Sequence, residues 1–130
     1  TYALYPHDGD WRNGVVRAGY ELNVPLLAAP AAGGGGDLPP VGSLLAVGGK
    51  GMVVEAVKKA EDDDGIIVRL YEAHGGRGRR TITLGLPVQR VETTDLMERV
   101  EGELPVADRR VELDVRPFEI VTLKLTPDRG

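Results

Sequence analysis

The sequence contains no cysteine. A disulfide framework and a thiolate metal site are therefore both excluded. It has a single serine, Ser43, and two histidines, His7 and His74. A Ser/His/Asp triad has almost nothing to be built from, because the lone serine starts an apolar strand. Aromatic residues are few: one Trp, four Tyr and one Phe. No apolar run approaches the ~20 residues that span a bilayer. No N-terminal signal pattern is present either. Positive charge is outweighed, with 16 Lys plus Arg against 20 Asp plus Glu, for a net charge of −4. Nonspecific nucleic-acid binding needs a basic surface, which this balance does not supply. Neither a nucleic-acid nor a membrane partner is expected.

What the sequence does have is turn chemistry and strand pattern. Its 130 residues, 42% of them hydrophobic, suffice for one packed core. Eighteen Gly and nine Pro imply many turns or one long loop. No internal repeat stands out. The chain opens on Thr1 inside an apolar stretch and reads as a fragment of something longer.

Three parts separate by composition. From Thr1 to about Leu27, a short β-compatible stretch stops at Pro6. His7-Asp8-Gly9-Asp10-Trp11 is turn chemistry, and Asn13 is placed to cap a short helix that ends near Asn23 and Pro25. Residues 28–40 are rich in Ala, Gly and Pro, with four consecutive glycines at 33–36. This composition predicts a long, flexible, exposed loop. From Val41 onward the pattern is a procession of strands. Ile82, Leu84 and Leu86 alternate with polar neighbours, as do Val111, Leu113, Val115 and then Val121, Leu123, Leu125. Residues 52–57 and 66–71 are denser in apolar side chains, as central strands are, and Asp64-Gly65 between them signals a hairpin. Pro117 must sit at a strand end or bulge. Thr94 to Val100 fits either a short helix or an irregular strand.

The expectation is an all-β fold: one antiparallel sandwich of about seven or eight strands spanning 1–130, with at most one or two short helices. A closed barrel is the alternative. A parallel α/β fold lacks its crossover helices.

Most catalytic patterns fail on inspection. Gly49-Lys50 is followed by Gly51 rather than Ser or Thr, so no P-loop is present. The Gly pairs at 34/36 and 76/78 do not complete a dinucleotide fingerprint. A calcium loop around Gly65 would need oxygen ligands where Ala60 and Tyr71 stand, so Asp62, Asp63 and Asp64 read as a solvated hairpin tip. His7 and His74 are too far apart in sequence to suggest a zinc site. Arg77, Arg79 and Arg80 beside a Gly-rich turn fit either a bound anion, such as a sugar-linked phosphate, or a solvated turn. Among 20 acidic residues, composition nominates no pair of glycosidase carboxylates. Arg69 and Glu119 interrupt apolar stretches. If buried they need partners, with Arg69–Glu119 and Arg69–Glu72 as the candidate pairs.

Several blocks resemble one family. Residues 1–11, TYALYPHDGDW, resemble the F-T-Y-A-L-x-P-H-x-G-x-W stretch of α-mannosidases of glycoside hydrolase family 38, and 18–26, AGYELNVPL, resemble the A-Y-x-L-N-x-P-L that follows it. Residues 53–62, VVEAVKKAED, resemble V-x-x-x-A-x-K-x-A-E-D, and 65–72, GIIVRLYE, resemble G-x-I-x-R-x-Y-E. Residues 115–123, VRPFEIVTL, resemble the closing P-F-E-I-x-T-L. The blocks occur in order and cover nearly the whole chain.

The resemblance implies the C-terminal β-rich domain of a bacterial-type α-mannosidase. In that family a zinc ion and an Asp nucleophile sit on an N-terminal α/β domain, and nothing here matches those motifs. The fragment itself is expected to be inactive and to hold no metal or cofactor, with zinc in the parent's catalytic domain. Its partner is that catalytic domain, and the parent's substrate is a terminal α-mannoside. A cytoplasmic parent fits the lack of cysteine and of a visible signal. Sugar cavities pair aromatic faces with hydrogen-bonding groups. His7, Asp10 and Trp11 offer that mix and are the candidates for the substrate cleft. The competing expectation is that Trp11 packs and His7 bonds its own turn. A carbohydrate-binding module or a protein-interaction sandwich are the alternative functions.

Overall fold

The computed structural model describes residues 2–31, 33, 35–36 and 39–128. The chain divides into two compact units, Thr1–Pro40 and Val41–Gly130.

In the first unit, residues 2–7 have no regular structure and lead into a turn. The Asn13 N–H closes that turn on the Asp10 carbonyl at 2.9 Å. Helix α1 (Val15–Asn23) follows. Asn13 is not its cap. Gly14 takes that position in a left-handed conformation, φ +90°, with no side-chain cap. The Asn13 amide is instead committed to the Asp8 carbonyl at 2.7 Å. Glycine suits this entry because a left-handed φ costs it no steric penalty. Arg17 and Glu21 pair one turn apart at 2.7 Å. The helix ends as the Val24 N–H and the Asn23 side chain bond the carbonyls of Tyr20 and Gly19. No helix residue is fully buried. In the glycine-rich loop, Ala32, Gly34, Asp37 and Leu38 lie outside the described residues. Its other residues form neither helix nor strand and are exposed.

The second unit is an antiparallel β-sandwich. Its strands are β1 (Leu45–Val47), β2 (Met52–Lys59), β3 (Ile66–Glu72), β4 (Gly78–Leu84), β5 (Val88–Thr94), β6 (Val100–Leu104), β7 (Val106–Ala107), β8 (Arg110–Val115) and β9 (Ile120–Pro127). One sheet runs β1-β4-β8-β7 and the other β2-β3-β9-β5-β6. The described residues thus form nine strands where about seven or eight were expected. β6 reads Val-Glu-Gly-Glu-Leu and β7 has two residues, so neither carries an alternation that a sequence can show.

The alternating runs point where their period requires. In β8, Val111, Leu113 and Val115 are buried while Arg110, Glu112 and Asp114 are exposed. They meet Val68, Leu70, Ile82, Leu84, Val91, Leu123 and Leu125 in one core between the sheets. Each fully buried aliphatic side chain contributes roughly 1.5–3 kcal/mol. β3 and β9 lie inside the larger sheet, and β3 buries Ile67 on its outer face as well. That accounts for its dense apolar run.

The connections set the rest. β2 and β3 form the hairpin, closed by the Ala60 N–H on the Gly65 carbonyl at 2.8 Å. Its acidic tip is exposed but not merely solvated: Asp63 pairs with Lys124 at 2.6 Å and Asp64 with Lys59 at 2.9 Å. Pro117 falls in the turn between β8 and β9. Gly85 is a close approach, since a Cβ there would sit 1.7 Å from the Ser43 carbonyl oxygen. Residues 95–99 are neither helix nor strand. They form a loop that reaches from β5 across to β3 and β2. The Leu96 carbonyl accepts from Arg69 at 3.4 Å, and Glu98 pairs with Lys58 at 2.7 Å. Arg69 also donates to Thr122, and Glu119 accepts the Arg116 N–H at 2.6 Å. Those partners take the place of the Arg69–Glu119 and Arg69–Glu72 pairs.

Candidate functional site

His7, Asp10 and Trp11 lie on the turn before α1, and the backbone of residues 8–14 holds them there. The His7 ring stacks on Tyr5 with centroids 5.6 Å apart and planes 12° from parallel. Its Nδ1 bonds the Tyr5 carbonyl at 3.1 Å. A carbonyl only accepts, so Nδ1 carries the proton and Nε2 is left as an acceptor. Asp10 is bound to Arg12 twice, through the Arg12 N–H at 2.9 Å and the guanidinium at 2.7 Å. The same guanidinium lies 4.9 Å over the Trp11 ring, a cation–π contact.

The structure brings His7 to a concavity and leaves the other two outside its lining. That hollow, about 520 Å³, is walled by Tyr5, His7, Asp8, Asn13, Arg17 and Glu21 among others. It offers an imidazole, an amide, a guanidinium and two carboxylates, a set suited to hydroxyl groups. Asp10 and Trp11 sit beside it in the Arg12 cluster.

In the sandwich, a second cleft of about 540 Å³ opens on the flank where β6 approaches β8. Glu101, Glu112, Asp114 and Glu119 line it together with Thr93, Thr94 and Thr122. Arg79 offsets two of these charges, at 3.3 Å from Glu112 and 3.8 Å from Asp114. Among the described residues no group of three or more His, Asp or Glu side chains is arranged to hold a metal ion. His7 and His74 belong to different units. The described residues therefore do not fit a zinc site.

The most organised charged group is one that the sequence offered only as a candidate partner of Arg69. Glu72 ends β3, and only 1% of its surface is exposed. One carboxylate oxygen accepts from the His74 N–H at 3.1 Å, and the other from the Phe118 N–H at 3.2 Å. Burial pushes its carboxyl up. The backbone N–H groups of Phe118, His74, Gly76 and Gly75 pull it down and prevail, so it lies below the usual range. This one side chain ties the loop after β3 to the turn after β8. The available signal was a carboxylate directly before a glycine-rich turn, and its partner Phe118 is 46 positions away.

The basic cluster divides. Arg79 faces outward into its ion pairs, whereas Arg80 is half-buried and points with Ile82 and Leu84. Arg77 is exposed.

Comparison with known proteins fits this architecture. The model of the glycosyl hydrolases family 38 C-terminal beta sandwich domain matches residues 51–123. Human alpha-mannosidase 2C1 is 40% identical over 96% of the chain, and the mouse protein of that name 39% over 96%. Alpha-mannosidase G of Dictyostelium discoideum is 26% identical over 95%. The chain spans 12% of the length of each of these three relatives. The family match runs from the turn before β2 into β9, more than half of the sequence. On that ground, the chain belongs to the family 38 glycosyl hydrolase C-terminal β-sandwich domains.

Proposed function

We propose that this chain is a non-catalytic accessory domain of an α-mannosidase. It packs on the catalytic part of the same polypeptide, and the His7–Trp11 turn helps to wall the cleft. The observation that carries this reading is the apolar surface of the first unit. Tyr2, Leu4, Leu26 and Leu27 are each more than 90% exposed. Four large apolar side chains this bare within 27 residues call for a surface to cover them. The relatives, all named α-mannosidases, are about eight times longer than the matched segment, and the rest of such a chain would offer that surface.

The parent enzyme would hydrolyse terminal α-mannosides, with its zinc and acid–base machinery in the catalytic part. In the cleft, His7 Nε2 would accept from a substrate hydroxyl. The Arg12–Asp10 pair would hold the Trp11 face beside the sugar. A cytoplasmic location belongs to the same proposal. Among the described residues, no helix is long and apolar enough to cross a membrane.

The test compares the full-length enzyme with a version ending just before Thr1, on an aryl α-mannoside with zinc present. The expected result is an active full-length protein and a folded but inactive truncation. Undiminished activity in the truncation would make the domain dispensable and overturn the reading. His7→Ala and Trp11→Ala in the full-length enzyme should raise KM or lower kcat without lowering Tm. A fall in Tm alone would move both residues from cleft to scaffold.

A further inference from the structure

One end of the sandwich combines a strained aromatic with three cations that make no ion pair among the described residues. The loops there are residues 48–51, 73–77 and 116–119, drawn together around Glu72. The Ala73 N–H also bonds the Gly51 carbonyl at 2.6 Å. Phe118 has φ +59° and is 65% exposed. A bulky side chain at positive φ is a genuine outlier that persists only where surrounding contacts impose it. Here the Glu72 carboxylate imposes it, through the Phe118 N–H. The ring lies against Gly75, 3.0 Å from where a Cβ would stand. Ile120, 58% exposed, follows two residues later.

Arg80 reaches the next glycine of the same loop. Its Nη2 is 3.5 Å from a Cβ position on Gly76, and its Cδ is 2.9 Å from one on Gly49. Its Nη1 donates to the Arg79 carbonyl at 3.1 Å, while its Nε is buried without a partner. Lys50 and Arg77 flank it on the two loops. Among the described residues, none of these three cations is ion-paired. Glu72 makes no ion pair with them; its two oxygens accept from the backbone N–H groups of His74 and Phe118. Elsewhere in this unit Lys58, Lys59, Arg79, Arg90, Arg116 and Lys124 have carboxylate partners, while Arg69, Arg99, Arg109 and Arg110 have no ion pair among the described residues.

We propose that this end of the sandwich docks an acidic segment of the catalytic part of the longer polypeptide, with a carboxylate pairing to Arg80 and an apolar side chain covering Phe118. The proposal rests on the accessory-domain reading and names the chemistry of the contact. An aromatic anchor fixed in place before binding loses little entropy, and a guanidinium without a carboxylate partner selects one. Lys50 and Arg77 form the cationic rim that rejects basic segments.

The experiment places p-benzoylphenylalanine at position 118 of the full-length enzyme and maps the photocrosslinks by mass spectrometry. The expected product joins position 118 to a peptide from the catalytic part that carries Asp or Glu. Its yield should fall several-fold in Arg80→Glu and in Arg77→Glu, and hold in Arg80→Lys. Arg77 is exposed, so Arg77→Glu keeps the test decisive if Arg80→Glu does not fold. A partner peptide without acidic residues, a yield unmoved by charge reversal, or no crosslink beyond the domain would each overturn the proposal. An inactive truncation alongside a silent position 118 would overturn this surface alone and leave the accessory role standing.

Discussion

Glu72 accepts the backbone N–H of Phe118 at 3.2 Å, and through that bond a buried carboxylate at the end of β3 dictates the conformation of an exposed aromatic 46 residues later. The strain at Phe118 and the desolvation of Glu72 are thus two sides of one interaction. Remove the carboxylate, and the N–H groups of His74 and Phe118 lose their acceptor together.

Glu72→Ala should destabilise the domain by about 3 kcal/mol or more, since each hydrogen bond to a charged group contributes ~1.5–3 kcal/mol. Urea unfolding measures this directly. A cost below about 1 kcal/mol would mean that water replaces the carboxylate at little loss.

The same residue makes stability depend on pH. Its folded value lies below the unfolded one of about 4.3. Its contribution is therefore complete above that unfolded value and is lost as pH falls through the folded one. Unfolding midpoints between about pH 6 and pH 3 should drop more steeply for the native chain than for Glu72→Gln. Asp63 and Glu98 are also held low, by Lys124 and Lys58 respectively, but they are common to both proteins and cancel in the difference.

Gly85→Ala should unseat β1. A Cβ 1.7 Å from the Ser43 oxygen forces the backbone apart, and overpacking of this kind costs ~1–3 kcal/mol. Hydrogen exchange should then speed up at Leu45–Val47, which pair with Ile82–Leu84. Unchanged protection there would show that β1 tolerates the displacement.

Arg109→Gly should stabilise the domain. Asp108 and Arg109 form the two-residue link between β7 and β8, with φ +49° and +59°. A left-handed non-glycine residue costs roughly 1–2 kcal/mol, and hairpin links of this shape favour Asn-Gly. Leu84 bonds the Arg109 carbonyl, which glycine retains. A rise in thermal midpoint is the expected result, and a fall would mean that the Arg109 side chain matters more than its backbone.

Trp11 is the only tryptophan, so its fluorescence reports on the Arg12 contact. Arg12→Ala removes the guanidinium from the indole face. The emission should move to longer wavelength, with no change in unfolding midpoint. An unmoved spectrum would remove the cation–π contact from the account of this turn.

The parts of the fold that the sequence disclosed are those where neighbours along the chain decide the outcome. Val111, Leu113 and Val115 alternate because one face of β8 is core, and Asp64-Gly65 closes a hairpin between adjacent strands. The parts it hid depend on distant contacts. Nothing local marks Glu72 as buried rather than solvated, since the His74 N–H is near in sequence but the Phe118 N–H comes from another strand connection. The loop at 95–99 is shaped by Arg69 and Lys58, more than 25 residues upstream. Asn13 resembles a helix cap until Asp8 claims its amide. His7 was singled out for its chemistry, but only the turn geometry shows that it lines a hollow while Asp10 and Trp11 gather around Arg12.

The outer strands of the larger sheet, β2 and β6, have a consequence for how copies of the domain meet. β2 is bulged between Val54 and Ala56 and carries Lys58 and Lys59, whereas β6 carries Glu101 and Glu103. A two-fold dimer formed strand to strand must bring an edge against its own copy. Centred on Gly102, a β6 seam would set Glu101 of one copy near Glu103 of the other, and along β2 the bulge breaks the ladder. Both like-to-like seams therefore resist the zippering that bare sheet edges invite.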